Sequence, residues 1–265
     1  MLHSLYSHLS PDYPWKALIE YYPTIGSTND HLKALARQGA PHGTACIAGH
    51  QTGGHGRLGR SFHSPEGMGV YLSFLIRPDC APTELMHLTC AAAAAMCDAV
   101  ENACGLRPGI KWTNDLVFGR RKLGGILTEL GLSPHGTVDY AIIGIGINCR
   151  QQEQDFPEEI RSMAGSLDMV TGKKNDPGKL AAAMLEALCR MDETLLTGKS
   201  AMLEAYRRNC ITIGQEISLL RGDDIRRGTA LSVDQEGALV VRFSDGRVEA
   251  VNSGEVSIRG MYGYI

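Results

Sequence analysis

Between Gly53 and Ser61 the chain reads Gly-Gly-His-Gly-Arg-Leu-Gly-Arg-Ser. Glycines let backbone N–H groups come close to an anion, and Arg57 and Arg60 add charge-assisted donors whose forked geometry suits phosphate. The stretch imitates two nucleotide motifs. Gly54, Gly56 and Gly59 satisfy G-x-G-x-x-G, and with Arg60 in the lysine position the run nearly satisfies G-x-x-x-x-G-K-S. Both motifs need a helix directly after the loop to meet the phosphates. Here Ser64-Pro65-Glu66-Gly67 follows and leads into another apolar run, so neither motif is expected to operate. Two readings survive: a phosphate cradle that orders over its ligand, or a solvated glycine-rich loop.

Two further constellations lie downstream. The first joins Lys111-Trp112-Thr113-Asn114-Asp115 to Arg121-Lys122-Leu123-Gly124-Gly125-Ile126-Leu127. Lysines at the start of apolar strands must be paired if buried, so Lys111 and Lys122 either point into one cleft or sit exposed at strand ends. Gly124-Gly125 marks a bulge or a close approach of ligand to backbone. The second is Gly144-Ile145-Gly146-Ile147-Asn148. Its glycines share one face of a strand and clear a flat space, for a ligand or for a packed helix. Asn148 either bonds a ligand or caps a turn.

The elements that must position these groups are legible in outline. Ser27 and Thr28 precede a helical pattern over Asn29 to Arg37 that stops at Gly39. Strands are predicted over Thr44 to Ala48, Gly69 to Ile76, Lys122 to Leu132 and Val138 to Asn148, with shorter ones over Ile110 to Trp112 and Leu116 to Phe118. Ser133 to Gly136 reads as a hairpin turn. Helices are predicted over Pro82 to Ala103, Gly178 to Leu196 and Ser200 to Asn209. From Ile213 onward short β-type runs alternate with turns at Arg221-Gly222-Asp223, Gln235-Glu236-Gly237 and Ser244-Asp245-Gly246, which indicates a small all-β barrel. The expected class is α+β: a mixed-sheet domain flanked by helices over residues 1–211, and a barrel over 212–265.

Composition narrows the partners. A net charge of −3 gives no general basic field for duplex DNA or anionic membrane, so any positive patch is local and suits a small anion. No secretory signal is visible in Met1 to Glu20, and no run reaches the roughly 18 apolar residues of a membrane span. The eight cysteines show neither C-x-x-C pairs nor zinc spacing. Cys90, Cys97 and Cys104 recur every seven residues, as buried side chains on one helix face do. A reduced, cytoplasmic setting is expected.

Taken together and in this order, the motifs resemble those of the biotin protein ligases. That family's pattern is a Q-T-x-G-R-G-R-x-G-R loop, a K-W-P-N-D-L segment, a K-L-x-G-I-L-x-E strand and a G-x-G-I-N strand. They are matched here by Gln51 to Arg60, Lys111 to Leu116, Lys122 to Glu129 and Gly144 to Asn148. Ser27-Thr28-Asn29 matches the family's helix-start motif, and Ser253-Gly254-Glu255-Val256-Ser257 its C-terminal SH3-like barrel.

The resemblance implies two half-reactions. Biotin's carboxylate attacks the α-phosphate of ATP, with Mg²⁺ assistance, to give biotinyl-5′-AMP and pyrophosphate. A lysine of a biotin carboxyl carrier domain then attacks the mixed anhydride and releases AMP. It implies catalytic roles for Arg57, Lys111, Lys122 and Asp115, with Lys122 reaching both the biotin carboxylate and the phosphate. Biotin would be held by Ser27, Thr28, Asn29 and Gln51, by Gly54, His55, Gly56 and Arg57 of the loop, by Lys122, and by Gly125, Gly144 and Gly146 along the tail and ring. The adenylate would meet Arg57, Arg60, Phe62, Lys111, Asn114, Lys122 and Asn148. Asp115 either orients the incoming lysine or helps place the metal, and no other metal ligand is assigned.

Three positions depart from the family pattern. His55 replaces an arginine and removes a permanent charge, Phe62 stands where some members stack a tryptophan on adenine, and Thr113 replaces a proline. Only 26 residues precede Ser27, too few for the DNA-binding domain that some members carry, so DNA binding is not expected. A homodimer is compatible with the sequence. The rival enzyme reading is a lipoate or octanoate ligase, whose R-R-x-S-G-G-G type loop is absent. The rival from another class is a biotin-binding sensor without ligase activity, which loss of Arg57 or Lys122 would have favoured.

Overall fold

The computed structural model describes residues 1–221, 224–252 and 257–260. Seven strands build the larger sheet: β1 (Ile19–Ile25), β2 (Ala45–Gln51), β3 (Gly69–Ile76), β4 (Gly109–Lys111), β5 (Asp115–Phe118), β6 (Arg121–Leu132) and β7 (Val138–Asn148). Their spatial order is β1-β2-β3-β7-β6-β5-β4. The β1–β2 pair is parallel and the others are antiparallel, so the sheet is mixed. At its centre every residue of β3 is buried, as is most of β7, which explains their near-continuous apolar sequences.

Helices cover both faces. Helix α1 (Leu2–His8) precedes β1, and α2 (Thr28–Arg37) forms the β1–β2 crossover and packs on β2, β3 and β7. On the opposite face lie α3 (Leu88–Cys104), α6 (Pro177–Thr194) and α7 (Lys199–Asn209), after the short α4 (Glu158–Arg161) and α5 (Leu167–Thr171). Ser27 caps α2 by accepting from Asp30 N, and Gly39 takes the positive φ that ends it, as read from the sequence. Cys90, Cys97 and Cys104 are all buried in α3.

Two segments differ from the sequence reading. The predicted Pro82–Ala103 helix is split into a 3-10 turn over Pro82–Leu85 and then α3. The turn is closed by Glu84, whose carboxylate accepts from Ala81 N at 2.8 Å. Helix α1 and strand β1 carry no clear periodicity and exist through docking. Leu5 is fully buried against the core, and a Cβ on Gly178 of α6 would lie 2.6 Å from Ser4 Cβ.

The second sheet is antiparallel, with β8 (Glu216–Arg221), β9 (Asp224–Val233), β10 (Leu239–Phe243), β11 (Val248–Val251) and β12 (Ser257–Gly260) in the order β11-β10-β9-β8-β12. It forms the small SH3-like barrel expected from residue 212 onward. Turns before Ala238 and around Gly246 fall where glycine and aspartate predict them, with Gly237 and Gly246 at positive φ. Gly222-Asp223 and Ser253 to Val256 lie outside the described residues. The barrel docks on the segment that carries Lys111. Trp112 Nε1 donates to Gly237 O at 3.0 Å, Trp112 N to Thr212 Oγ1 at 2.9 Å, and Arg207 to Val233 O at 2.6 Å.

Candidate functional site

Strand register builds the floor of the site. Tyr71, Gly146, Gly125 and Asp115 form one cross-strand row, and Ser73, Gly144 and Leu127 form the next. Paired residues share a face, so the glycines sink the middle of the sheet. Above the depression is a cavity of about 440 Å³, the size of a small-molecule site. Its glycines serve close packing as well. A Cβ on Gly144 would lie 2.0 Å from Asn29 Oδ1, and one on Gly146 would lie 2.4 Å from the Phe62 ring.

One end of the cavity is neutral and hydrogen-bonded. Ser27, Thr28 and Asn29 enter at the N-terminus of α2 and are all buried. Thr28 donates to Gln51 Oε1 through its N–H at 2.9 Å, with its hydroxyl at 3.0 Å from the same oxygen. Gln51 Nε2 donates to Ser64 Oγ at 3.1 Å. Asn29 Nδ2 donates to Glu129 Oε2 at 2.8 Å, and Lys33 holds the other carboxylate oxygen at 2.8 Å. Ser27, Thr28, Asn29 and Gln51 offer this end of the cavity hydrogen-bonding groups without charge.

The other end is electropositive. Arg57, Arg60, Lys111 and Lys122 line it, and Asp115 is the only carboxylate in the lining. Lys122 Nζ donates to Asp115 Oδ1 at 2.6 Å. Arg57 donates to Asn114 Oδ1 at 2.9 Å, while Asn114 Nδ2 donates to Ile126 O at 3.0 Å, so one amide aims the guanidinium from a strand edge. Burial pulls the Arg57 pKa below its ordinary value; Asp115 works against that shift and Arg60 adds to it. A guanidinium stays charged at neutral pH regardless. Partly desolvated cations of this kind interact more strongly with an anion than solvated ones do.

The glycine-rich segment forms a small hairpin. His55 bridges Ser61, Phe62 N donates to Gly54 O at 2.8 Å, and Gly56 N donates to Arg60 O at 2.7 Å. At its tip Leu58 is 61% exposed at φ 58°, a conformation a leucine rarely holds. His55 Nδ1 lies 3.0 Å from Gly53 O, and its Nε2 lies 3.7 Å from Asp30 on α2.

All the sequence-predicted site residues except Gly54 line this one cavity. Gly54 lies beside it, where a Cβ would lie 2.8 Å from Ser64 Oγ and 2.9 Å from both Gln51 Nε2 and Phe62 O. The ring of Phe62 lies over Gly146, with Tyr71 edge-on at 6.4 Å. Asn148 lines the cavity while its amide donates to Gly165 O at 3.0 Å and accepts from Gln151 at 3.1 Å. The peptide between Trp112 and Thr113 is cis. The wall formed by Phe156, Ile160, Met163 and Ala164 escaped sequence reading. It arrives by a parallel bridge to Lys122, whose N–H donates to Met163 O at 2.7 Å and whose carbonyl accepts from Gly165 N at 2.9 Å. No local motif announces such a contact. Leu127 could have been found, since it alternates with Gly125 along β6.

A neutral pocket beside a cationic one, on a mixed sheet and under a hairpin, can hold an uncharged head next to a phosphate-bearing group. The comparisons give the class, a ligase. Residues 21–148 match the Biotin/lipoate A/B protein ligase family, and residues 212–259 match the Biotin protein ligase C terminal domain. The chain is 34% identical over 241 residues to the bifunctional ligase/repressor BirA of Bacillus subtilis, spanning 90% of this chain and 73% of that protein. It is 30% identical over 249 residues to the biotin–[acetyl-CoA-carboxylase] ligase of Mycobacterium tuberculosis, spanning 91% and 89% of the two. Among solved structures it resembles the biotin protein ligase from Aquifex aeolicus in complex with biotin and ATP, with TM-score 0.75 and 30% identity over 91% and 98% of the chains. The chain belongs to the biotin protein ligase family.

Proposed function

We infer that this chain is an ATP-dependent biotin protein ligase, which activates biotin as biotinyl-5′-AMP and passes it to a lysine of a biotin carboxyl carrier domain. The observation that carries the reading is the two-ended cavity, where four cations face one carboxylate at one end and a neutral hydrogen-bonding set fills the other. In the first step a carboxylate oxygen of biotin bonds to the α-phosphorus of ATP and pyrophosphate leaves. Negative charge accumulates there, so catalysis is mostly positioning and fixed positive charge. Lys122 would neutralise the biotin carboxylate and the α-phosphate, and Lys111 and Arg60 would add positive charge along ATP and the adenylate. Arg57, aimed by Asn114, would bind the adenylate under the hairpin. In the second step the carrier amine bonds to the acyl carbon, AMP leaves, and the amine gives up a proton. Asp115 is the one cavity carboxylate positioned to orient that amine.

Ser27, Thr28, Asn29 and Gln51 would take the polar head of biotin. Gly125, Gly144 and Gly146 would floor its ring and tail, and His55 and Gly56 would close over them. Phe62 and Asn148 then act as walls on the adenylate side. Among the described residues no group of three or more side chains could cage a metal. Mg²⁺ carried on the ATP phosphates would supply charge neutralisation there, and Asp115 is the residue that fits as a single additional ligand.

We place the domain boundary near residue 211, just before the matched C-terminal family. The reading also places the reaction in the cytoplasm, consistent with eight free, buried cysteines. Among the described residues no helix is long and apolar enough to cross a membrane. A net charge of −3 gives no general basic field for duplex DNA. A homodimer would need an edge such as β1 or β4. Lipoate or octanoate ligation is disfavoured by the biotin-specific description of residues 212–259. Pyrophosphate release measured with biotin, lipoate and octanoate side by side tests the reading. Turnover with biotin alone is expected, and equal turnover with lipoate would overturn it.

A further inference from the structure

The segment that carries Lys111, Asn114 and Asp115 is braced from behind by parts of the chain that do not line the cavity. Ile211 N donates to Ile110 O at 2.9 Å, and the Thr212 hydroxyl accepts from Trp112 N at 2.9 Å. Gly237 O, in a turn of the barrel, accepts from the Trp112 indole at 3.0 Å. Tyr206 of α7 completes the brace, its hydroxyl donating to Thr113 O at 3.0 Å. Tyr206, Ile211, Thr212 and Gly237 all lie outside the cavity lining.

Tyr206 differs from the other braces in where it acts. It is fully buried, and it bears on the peptide group that joins Thr113 to Asn114. Its acceptor is a carbonyl, which has no proton to give, so the phenol is the donor. Burial pushes that phenol well above its ordinary pKa, so the proton stays in place at neutral pH. Thr113 adds no side-chain anchor, since its hydroxyl is buried without a hydrogen-bond partner.

Asn114 therefore hangs between two pinned peptide groups. Tyr206 holds the carbonyl before its Cα, and Ile126 N donates at 3.0 Å to the carbonyl after it. Two planar peptide groups fixed in this way set the direction of the side chain between them. The amide of that side chain donates to Ile126 O at 3.0 Å and accepts from Arg57 at 2.9 Å. A run of bonds thus leads from a helix outside the cavity to a guanidinium inside it.

We propose that Tyr206 is a positioning residue for Arg57, acting through the Thr113–Asn114 peptide group and the Asn114 amide. The proposal rests on the biotin ligase reading, in which Arg57 binds the adenylate. A phenylalanine at position 206 fills nearly the same space but leaves the Thr113 carbonyl without its donor. The peptide group can then rotate, Asn114 loses its set direction, and Arg57 samples positions away from the phosphate. The α2 end of the cavity stands outside this run, because Thr28 and Gln51 are held by each other and by Ser64. The effect therefore falls on retention of the adenylate and spares biotin.

The test is carrier-free release of radiolabelled adenylate by the full chain after a single turnover, with KM for biotin measured alongside. Four proteins are compared: wild type, Tyr206→Phe, Arg57→Ala and the double variant. Tyr206→Phe should speed release about fivefold, the effect of one neutral hydrogen bond, with KM for biotin within about twofold. In the Arg57→Ala background the same substitution should change release by less than about twofold, because the group it positions has gone. A general loss of structure would move both quantities, with or without Arg57. The proposal is overturned if Tyr206→Phe leaves release unchanged, if it raises KM for biotin as much as it speeds release, or if its effect persists without Arg57. Should Tyr206→Phe fail to fold, a crystal structure of the wild type with biotinyl-5′-AMP bound decides the matter. Tyr206 is expected to bond Thr113 O there while Arg57 holds both Asn114 and the phosphate, and loss of either protein bond overturns the proposal. Absence of adenylate formation from biotin and ATP in the wild type would instead sink the ligase reading and this inference with it.

Discussion

At the α2 end of the cavity the recognition groups sit on a helix start and on central strands, buried and bonded to one another. At the hairpin end, Arg57, Arg60 and His55 ride on a loop whose tip residue Leu58 is 61% exposed at φ 58°. The first end is prebuilt from hydrogen-bonding groups held by one another. The second relies on charge, and charge tolerates displacement because Coulomb attraction falls slowly with distance. The chemistry needs both, and Lys122 stands between them, its amine 2.6 Å from Asp115 and the Cβ position of Gly125 3.5 Å away.

Lys122 is therefore where the contrast should break most completely. Lys122→Ala removes the cation proposed to serve both the biotin carboxylate and the α-phosphate, and should lower adenylate formation by about a thousandfold, in line with losing a group that stabilises transition-state charge. Its backbone bonds to Met163 and Gly165 remain, so thermal unfolding should move little. Pyrophosphate release at the wild-type rate would refute the role. Arg57→Ala comes next. Losing a charge-assisted contact costs about 1.5–3 kcal/mol, which would speed release of the bound adenylate by roughly ten- to a hundredfold. Premature release would appear as labelling of bystander lysines, and unchanged selectivity for the carrier lysine would count against it.

The same contrast explains what the sequence could disclose. The charged end was readable because arginine, lysine and glycine are unusual where they stand, in a loop and at the starts of strands. The neutral end was readable only by resemblance, since serine, threonine and asparagine at 27–29 also spell an ordinary helix cap, and Ser27 does cap α2. Ser73 gave no signal, sitting inside an apolar strand, and Glu129 stood in a matched motif without a role. Helix α1 and strand β1 were hidden because tertiary contact, not periodicity, stabilises them. The Phe156–Ala164 wall was hidden because a bridge between distant segments leaves no trace in local spacing. Gly54, assigned by resemblance, has its Cβ position against Ser64, Gln51 and Phe62.

Gly144→Ala sharpens the comparison from the rigid side. The new Cβ would fall 2.0 Å from Asn29 Oδ1, so Asn29 must move and its hydrogen-bond partners with it. An overpacked core position costs about 1–3 kcal/mol, and KM for biotin should rise about tenfold while KM for ATP is spared. Equal changes in both would show that the two ends are not separable.

The smallest effect belongs to His55. Its Nε2 lies 3.7 Å from Asp30, but the two side chains are 33% and 57% exposed. Solvated pairs of this kind are worth about 0–1 kcal/mol. His55→Ala should therefore change adenylate release by less than about threefold. His55→Arg, which restores the permanent charge of the family pattern, should slow release by a similarly small factor that vanishes at high salt. Carrier-free single-turnover release measured at low and high ionic strength separates the outcomes. A change of tenfold or more in either variant would mean that the hairpin is held by this contact, and that the loop end is as prebuilt as the sheet beneath it.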